Sequence, residues 1–174
     1  FADRNTYLGD PAFVENPLAE LLSADHATRL RSTIALDEAT PSSQVQGSLG
    51  ADEGEHTTHY SIVDEAGNAV AVTYTVNFFF GTGRIAGDTG FFLNNEMDDF
   101  TAKPGVPNAF GLVQGKTNEV QPGKRPLSSM TPTVVLKDGK PFMVTGSPGG
   151  STIISTVLET IVNVVDFRMN MQQA

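Results

Sequence analysis

An α+β layered fold is predicted for this chain by three features of its sequence. Two β-rich runs, "TTHYSIVD" and "AVAVTYTVN", are joined by "EAGN". A second pair of runs lies in "PTVVLKDGKPFMVTG", turning at Asp138–Gly139. A last stretch, Ser151–Phe167, carries apolar residues at helical spacing. Helix, hairpin, hairpin and helix in that order predict antiparallel strands layered with helices.

Each element has a local reason. Residues 1–16 are mixed, with a Gly-Asp-Pro turn at Gly9–Pro11. Pro17–Leu22 has a short helical pattern. Ser23 is suited to cap a second helix through about Ile34, with Ala27, Leu30 and Ile34 on one face. Residues 38–56 are poor in apolar side chains and rich in turn formers, which predicts an exposed, easily cleaved linker. The first hairpin starts at Thr57, and Asp64, Gly67 and Asn68 supply its turn chemistry. Its strands are apolar on parts of both faces, which predicts a sheet covered on both sides. A further strand is expected near Phe91–Leu93. Residues 100–131 read as one long loop rich in Pro and Gly, a length that usually signals function. In the last helix Ile153, Ile154, Val157, Leu158, Ile161, Val162 and Val165 form an apolar stripe, and Ser155, Glu159, Asn163 and Asp166 face away from it.

Composition narrows the function. The chain has 174 residues, 39% of them hydrophobic, which is enough for a domain with a core rather than an acidic disordered tail. A net charge of −9, from 20 acids against 11 Lys and Arg, argues against nucleic acid as a partner. The absence of cysteine excludes disulfides, thiolate catalysis and Cys-based metal sites. No apolar run reaches the length of a membrane span. The chain does not start with Met and opens in a polar segment, so it reads as a piece of a longer protein.

Four stretches can carry chemistry. At Thr57–Thr58 the chain passes from linker to strand. Threonine's strand preference accounts for the pair without any chemistry. The sharper reading is a cut before Thr57 that frees an N-terminal nucleophile. "GSPGGSTIIS", residues 146–155, is a Gly-rich turn between a strand and a helix. Uncovered backbone N–H groups at a helix start make an oxyanion hole, whereas the plain alternative is a turn with Ser151 as N-cap. "NNEMDDF", Asn94–Phe100, gathers Glu96, Asp98 and Asp99, either a solvated acidic loop or a trap for an ammonium. "RPLSSMTP" presents Ser128 and Ser129, either turn residues or hydroxyl donors for a carboxylate. His56 and His59 stand three apart with no third ligand, and the acidic cluster lacks EF-hand spacing, so no metal is expected.

In combination these segments resemble the gamma-glutamyltranspeptidase family of N-terminal-nucleophile hydrolases. "TTHYSIVD", "GNAVAVTYTVN", "FGTG", "LNNEMDDF", "PGVPNAFGL", "KRPLSSMTPT" and "TGSPGGS" follow the family's order and spacing, and "ADRNTYLGD" and "PSSQ" resemble the end of its large subunit. The resemblance implies an αββα sandwich of antiparallel sheets covered by helices, of which this chain is part. It implies a proenzyme that cuts itself between His56 and Thr57. Residues 1–56 would then end the large subunit and 57–174 begin the small one. Thr57 would be the nucleophile, Thr75 its hydrogen-bonding partner, and Gly149 and Gly150 the oxyanion hole. A γ-glutamyl substrate would meet Asn77, Glu96 and Asp99 at its ammonium, and Ser128 and Ser129 at its carboxylate. Pro104–Gly115 matches a lid, with Phe110 where tyrosine is common. The implied partners are glutathione or a related γ-glutamyl compound, an amino-acid or peptide acceptor, and the remaining segments of both subunits. No cofactor is implied, and the compartment would be that of a periplasmic or secreted protein. Two rival readings are a related amidase such as a cephalosporin acylase, and a non-catalytic interaction module with a pseudo-active site.

Overall fold

The computed structural model describes residues 1–41, 44–45 and 57–174. Its elements are α1 (Ala2–Tyr7), α2 (Leu18–Leu21), α3 (Ala24–Ser32), β1 (Thr57–Val63), β2 (Ala69–Thr75), β3 (Thr133–Lys137), β4 (Lys140–Thr145) and α4 (Ile153–Val165). They fall into two compact units. One comprises the described residues of 1–52 with Met97–Ser128; the other comprises those of 53–96 with Ser129–Ala174.

The first unit is built around polar contacts. Phe100 and Phe110 are buried there, but so are Asn5, Asp10, Thr101, Gln114, Asn118 and Lys124. Helix α1 is an addition to the sequence prediction, which has only mixed residues at this point. Ser23 caps α3 as predicted, its Oγ accepting the His26 N–H at 3.1 Å. The helix stops at Ser32, short of Ile34, and Leu30 and Ile34 are exposed. His26 Nε2 lies 2.8 Å from Asp3 Oδ2 and so ties α3 to α1. The predicted Gly9–Pro11 turn carries Asp10, whose carboxylate takes three bonds from Arg125: Nη2 at 2.7 Å, Nε at 3.1 Å and the backbone N–H at 2.9 Å. The long loop of 100–131 contains a short 3-10 turn at Lys116–Asn118.

The second unit holds both predicted hairpins. β1 pairs antiparallel with β2, and Gly67 at φ 84° turns the chain between them. The Asp64 carboxylate accepts the Asn68 backbone N–H at 2.8 Å and its side-chain amide at 2.7 Å, which holds the Asp64 pKa below its ordinary value. β3 pairs with β4 through Asp138 (φ 54°) and Gly139 (φ 76°), two consecutive left-handed residues of the kind a tight hairpin requires. A register shift at Val135/Leu136 accommodates Pro141 on the facing strand. Ser61 Oγ on β1 donates to the Val144 carbonyl of β4, so the hairpins touch.

Helices and small antiparallel sheets agree with the α+β prediction, and each sheet has two strands among the described residues. Three local expectations need correction. Phe91–Leu93 is not a strand: Phe92 makes a single bridge to Ile85, because the glycines around it keep turning the chain. Among the described residues the first sheet is not covered on both faces, since Tyr60, Ile62, Val63, Val70 and Tyr74 are exposed. Ser151 is not the cap of α4. That position is Thr152, after a 3-10 turn at Gly150–Thr152. Of the predicted stripe on α4, Ile153 and Val157 are buried with Met143, whereas Leu158 and Val165 are exposed.

Candidate active site

The second unit contains the expected nucleophile and its surroundings. Thr57 is the first residue of β1, and its Cα partner across the ladder is Thr75, the last residue of β2. The two threonines are 18 residues apart in sequence, and only the hairpin register sets them face to face. His56, the other side of the expected cleavage site, lies outside the described residues. Thr75 Oγ1 accepts the N–H of Asn77 at 2.9 Å, so the end of β2 and the next turn are held together.

Asn77 is buried and left-handed, with φ 77°. Asparagine tolerates that region better than most residues because its short amide bonds locally. Its Nδ2 donates to the Asn95 carbonyl at 3.2 Å, Phe78 N–H donates to Asn95 Oδ1 at 3.0 Å, and Asn95 N–H returns to the Val76 carbonyl at 3.2 Å. Asn95 thereby clamps the segment that carries Asn77 to the one that carries Glu96. Glu96 is half-buried, and burial raises its pKa. Sequence reading missed this clamp. Its signal was the doubled asparagine in "NNEMDDF", which reads equally well as a strand-end turn.

The Gly-rich turn follows β4. Gly149 has φ 131° and Gly150 has φ 54°. A Cβ on Gly149 would stand 2.8 Å from Thr152 Oγ1, a separation real side chains essentially never adopt. The Gly149 carbonyl accepts from the Thr152 N–H at 2.9 Å and from its hydroxyl at 2.8 Å, which pins the turn to the start of α4. Gly146, at the head of the turn, lies against the His59 ring so closely that any side chain there would overlap it. That ring is fixed at both nitrogens, Nδ1 to Thr73 Oγ1 at 2.7 Å and Nε2 to Ser61 Oγ at 3.0 Å. His59 is thus a strand residue packed under the turn. Ser129 also belongs to this unit and is half-buried.

The first unit contains Asp99, Ser128 and Phe110. Asp99 is half-buried, and its carbonyl accepts from Asn118 Nδ2 at 2.7 Å and Gln114 Nε2 at 3.1 Å. Ser128 is exposed. Phe110 is buried in a compact loop in which Asn108 Oδ1 accepts the N–H groups of Phe110 and Leu112, both at 3.0 Å. Ala109 N–H donates to Asp98 Oδ2 at 3.1 Å, so Asp98 anchors the loop. Among the described residues no cluster of three or more His, Asp or Glu is arranged to hold a metal ion, and no helix is long and apolar enough to cross a membrane.

Comparison with known proteins identifies the family of this chain. The family model described as gamma-glutamyltranspeptidase matches residues 1–174. The chain is 56% identical over 175 residues to the glutathione hydrolase proenzyme of Escherichia coli (strain K12), and 55% identical over 174 residues to that of Pseudomonas sp. (strain A14). In both cases all of this chain is covered but only 30% of the relative, so the chain spans about a third of the length of these proteins. Among solved structures it resembles the gamma-glutamyltranspeptidase of Pseudomonas nitroreducens complexed with L-DON. There the TM-score is 0.65 at 51% identity, over 67% of this chain and 60% of that one. It also resembles an acivicin-inhibited gamma-glutamyltranspeptidase whose C-terminus is critical in autoprocessing and catalysis. That match has a TM-score of 0.64 at 59% identity, over 66% of this chain and 61% of that one.

Proposed function

This chain belongs to the gamma-glutamyltranspeptidase family, and on that premise we propose that it serves γ-glutamyl hydrolysis and transfer through Thr57, freed as an N-terminal nucleophile by cleavage of the His56–Thr57 bond. In maturation the Thr57 hydroxyl attacks the His56 carbonyl carbon and the peptide C–N bond breaks. The acyl group passes to oxygen as an ester, and Thr57 gains a free amine. Water then hydrolyses the ester, which releases the His56 carboxylate and restores the hydroxyl.

In turnover the freed amine takes the hydroxyl proton, one of the established ways to activate a weak alcohol nucleophile. The Thr57 oxygen attacks the γ-carbonyl, and the developing oxyanion is met by the N–H groups of Gly149 and Gly150. The leaving amine departs with a proton. The glutamyl ester is resolved by water, or by the amino group of an amino acid or peptide. On the family resemblance, Asn77, Glu96 and Asp99 are the acceptors for the substrate ammonium. Ser128 and Ser129 are donors for its carboxylate. A zwitterion requires both kinds of partner, which is why acids and hydroxyls accompany one nucleophile. On the same resemblance the activity belongs to a periplasmic or secreted protein whose other large- and small-subunit segments complete the site.

The observation that carries this reading is the placement of Thr57 at the head of β1, opposite Thr75, in the unit that also holds the Gly149–Gly150 turn. Denaturing mass spectrometry of the full-length protein tests it. The expected result is two pieces, the smaller starting at Thr57, and a single uncut inactive chain for Thr57→Ala. An active precursor that stays whole, or a small piece starting elsewhere, overturns the proposal. Equal turnover of γ-glutamyl- and glutaryl-p-nitroanilide would instead favour the acylase-like reading, because the glutaryl compound lacks the ammonium.

A further inference from the structure

We propose that Asn118 is a positioning residue for the γ-glutamyl site, a buried amide that sets the backbone at Asp99 from one end and the backbone just before Ser128 from the other. The inference rests on the assignment of Asp99 to the substrate ammonium and Ser128 to its carboxylate, and it adds the residue that holds both segments in register.

Asn118 is 0% exposed, and every polar atom of its side chain is used. Its Nδ2 donates to the Asp99 carbonyl at 2.7 Å and to Gln114 Oε1 at 2.7 Å. Its Oδ1 accepts the N–H of Leu127, the residue before Ser128, at 3.1 Å. Its own carbonyl accepts the N–H of Thr101 at 2.9 Å. Gln114, also buried, adds a second donor to the Asp99 carbonyl at 3.1 Å. The orientation of the amide is not a free choice. A backbone N–H can only donate and a backbone carbonyl can only accept, so reversing the amide would set donor against donor at Leu127 and acceptor against acceptor at Asp99.

The surroundings stiffen this link. Asn5, 1% exposed, accepts from Arg4 Nη1 at 2.9 Å, and its carbonyl takes the Gly115 N–H at 2.8 Å. Thr101 Oγ1 donates to the Gly115 carbonyl at 2.9 Å. Burial lowers the Arg4 pKa from its ordinary value while the nearby charge of Asp99 acts to raise it, so Asp99 lies in the electrostatic reach of a half-buried arginine. A side chain held by its own backbone moves with that backbone. A shift at Asp99 therefore misplaces the acceptor for the substrate ammonium, a loss that is read in KM.

The test compares Asn118→Asp, Gln114→Met and Asp99→Asn in the full-length protein, using γ-glutamyl- and glutaryl-p-nitroanilide. Asn118→Asp keeps the acceptor for Leu127 but replaces the donor to Asp99 with an oxygen. The expected result is a KM for the γ-glutamyl compound raised roughly 10-fold or more, with kcat changed less, and a fall in the preference over the glutaryl compound. Gln114→Met removes one of the two donors to Asp99 and gives a smaller shift in the same direction. It decides the matter if Asn118→Asp does not fold. A purely structural asparagine would lower Tm and the yield of active protein equally for both substrates. If Asp99→Asn abolishes the preference while both amide variants retain KM and preference, Asn118 does not position the site and the inference is overturned. If Asp99→Asn itself keeps the preference, the assignment of Asp99 fails and the inference with it.

Discussion

Replacing Gly149 with alanine puts one methyl group where the turn has no room. The backbone there has φ 131° and ψ 20°, a region in which a residue with a Cβ is strained by about 1–3 kcal/mol. The new carbon would stand 2.8 Å from Thr152 Oγ1, so the hydroxyl must swing away and give up its 2.8 Å bond to the Gly149 carbonyl. That adds the loss of one hydrogen bond, about 1 kcal/mol. The chain relieves this strain by rotating the peptide planes on either side of residue 149, and these carry the N–H groups proposed to meet the oxyanion. Misdirecting one such donor lowers kcat by roughly 100- to 1,000-fold, with KM little changed because the donors act on charge that develops only during reaction. Stopped and steady-state hydrolysis of γ-glutamyl-p-nitroanilide by the processed full-length protein gives both constants. Thr152→Val is the control: it removes the bond without a Cβ at residue 149, so its kcat falls by about tenfold or less. A Gly149→Ala enzyme with kcat within about threefold of the parent would refute the reasoning, since that corresponds to only about 0.6 kcal/mol of lost transition-state stabilisation.

Three further outcomes follow from the described geometry. Gly146→Ala displaces the His59 ring from Thr73 and Ser61; two lost bonds and the steric shift destabilise the protein by about 2–4 kcal/mol, read as a lower Tm, and His59→Ala on the same background should restore part of it. Asp10 has a pKa held well below the usual carboxylate range, first by the Arg125 side chain and then by its backbone N–H. Its contribution is therefore complete above pH of about 4 and is lost as pH falls toward the depressed value; thermal melts of Asp10→Asn between neutral and acid pH should show a flatter acid limb than the parent. Glu96 has the opposite sign, because burial raises its pKa. As pH falls through that raised value Glu96 takes up a proton, which costs the folded state less but removes a charged acceptor for the ammonium. KM for a γ-glutamyl substrate should rise as pH falls through that raised value, and Glu96→Gln should abolish that limb.

What could be read from the chain alone was what neighbouring residues decide. Asp64, Gly67 and Asn68 make one turn and Asp138–Gly139 another, because left-handed backbone and side-chain bonds to adjacent amides depend on a few consecutive residues. Ser23 caps α3, and the spacing of Ile153 and Val157 predicts the buried face of α4, for the same short-range reason. Motif order likewise singles out Thr57, Glu96, Asp99 and the Gly149–Gly150 turn as the expected site. The tertiary structure decided which of these face one another. Thr57 meets Thr75 only through the register of β1 on β2, and Asn118 joins Asp99, Gln114 and Leu127 only because a loop of little regular structure closes on itself. Asp10 meets Arg125 across 115 residues. Hydrogen bonds at such separations leave no periodic or turn signal, and a single asparagine in a polar loop looks like any turn residue until its partners are in place.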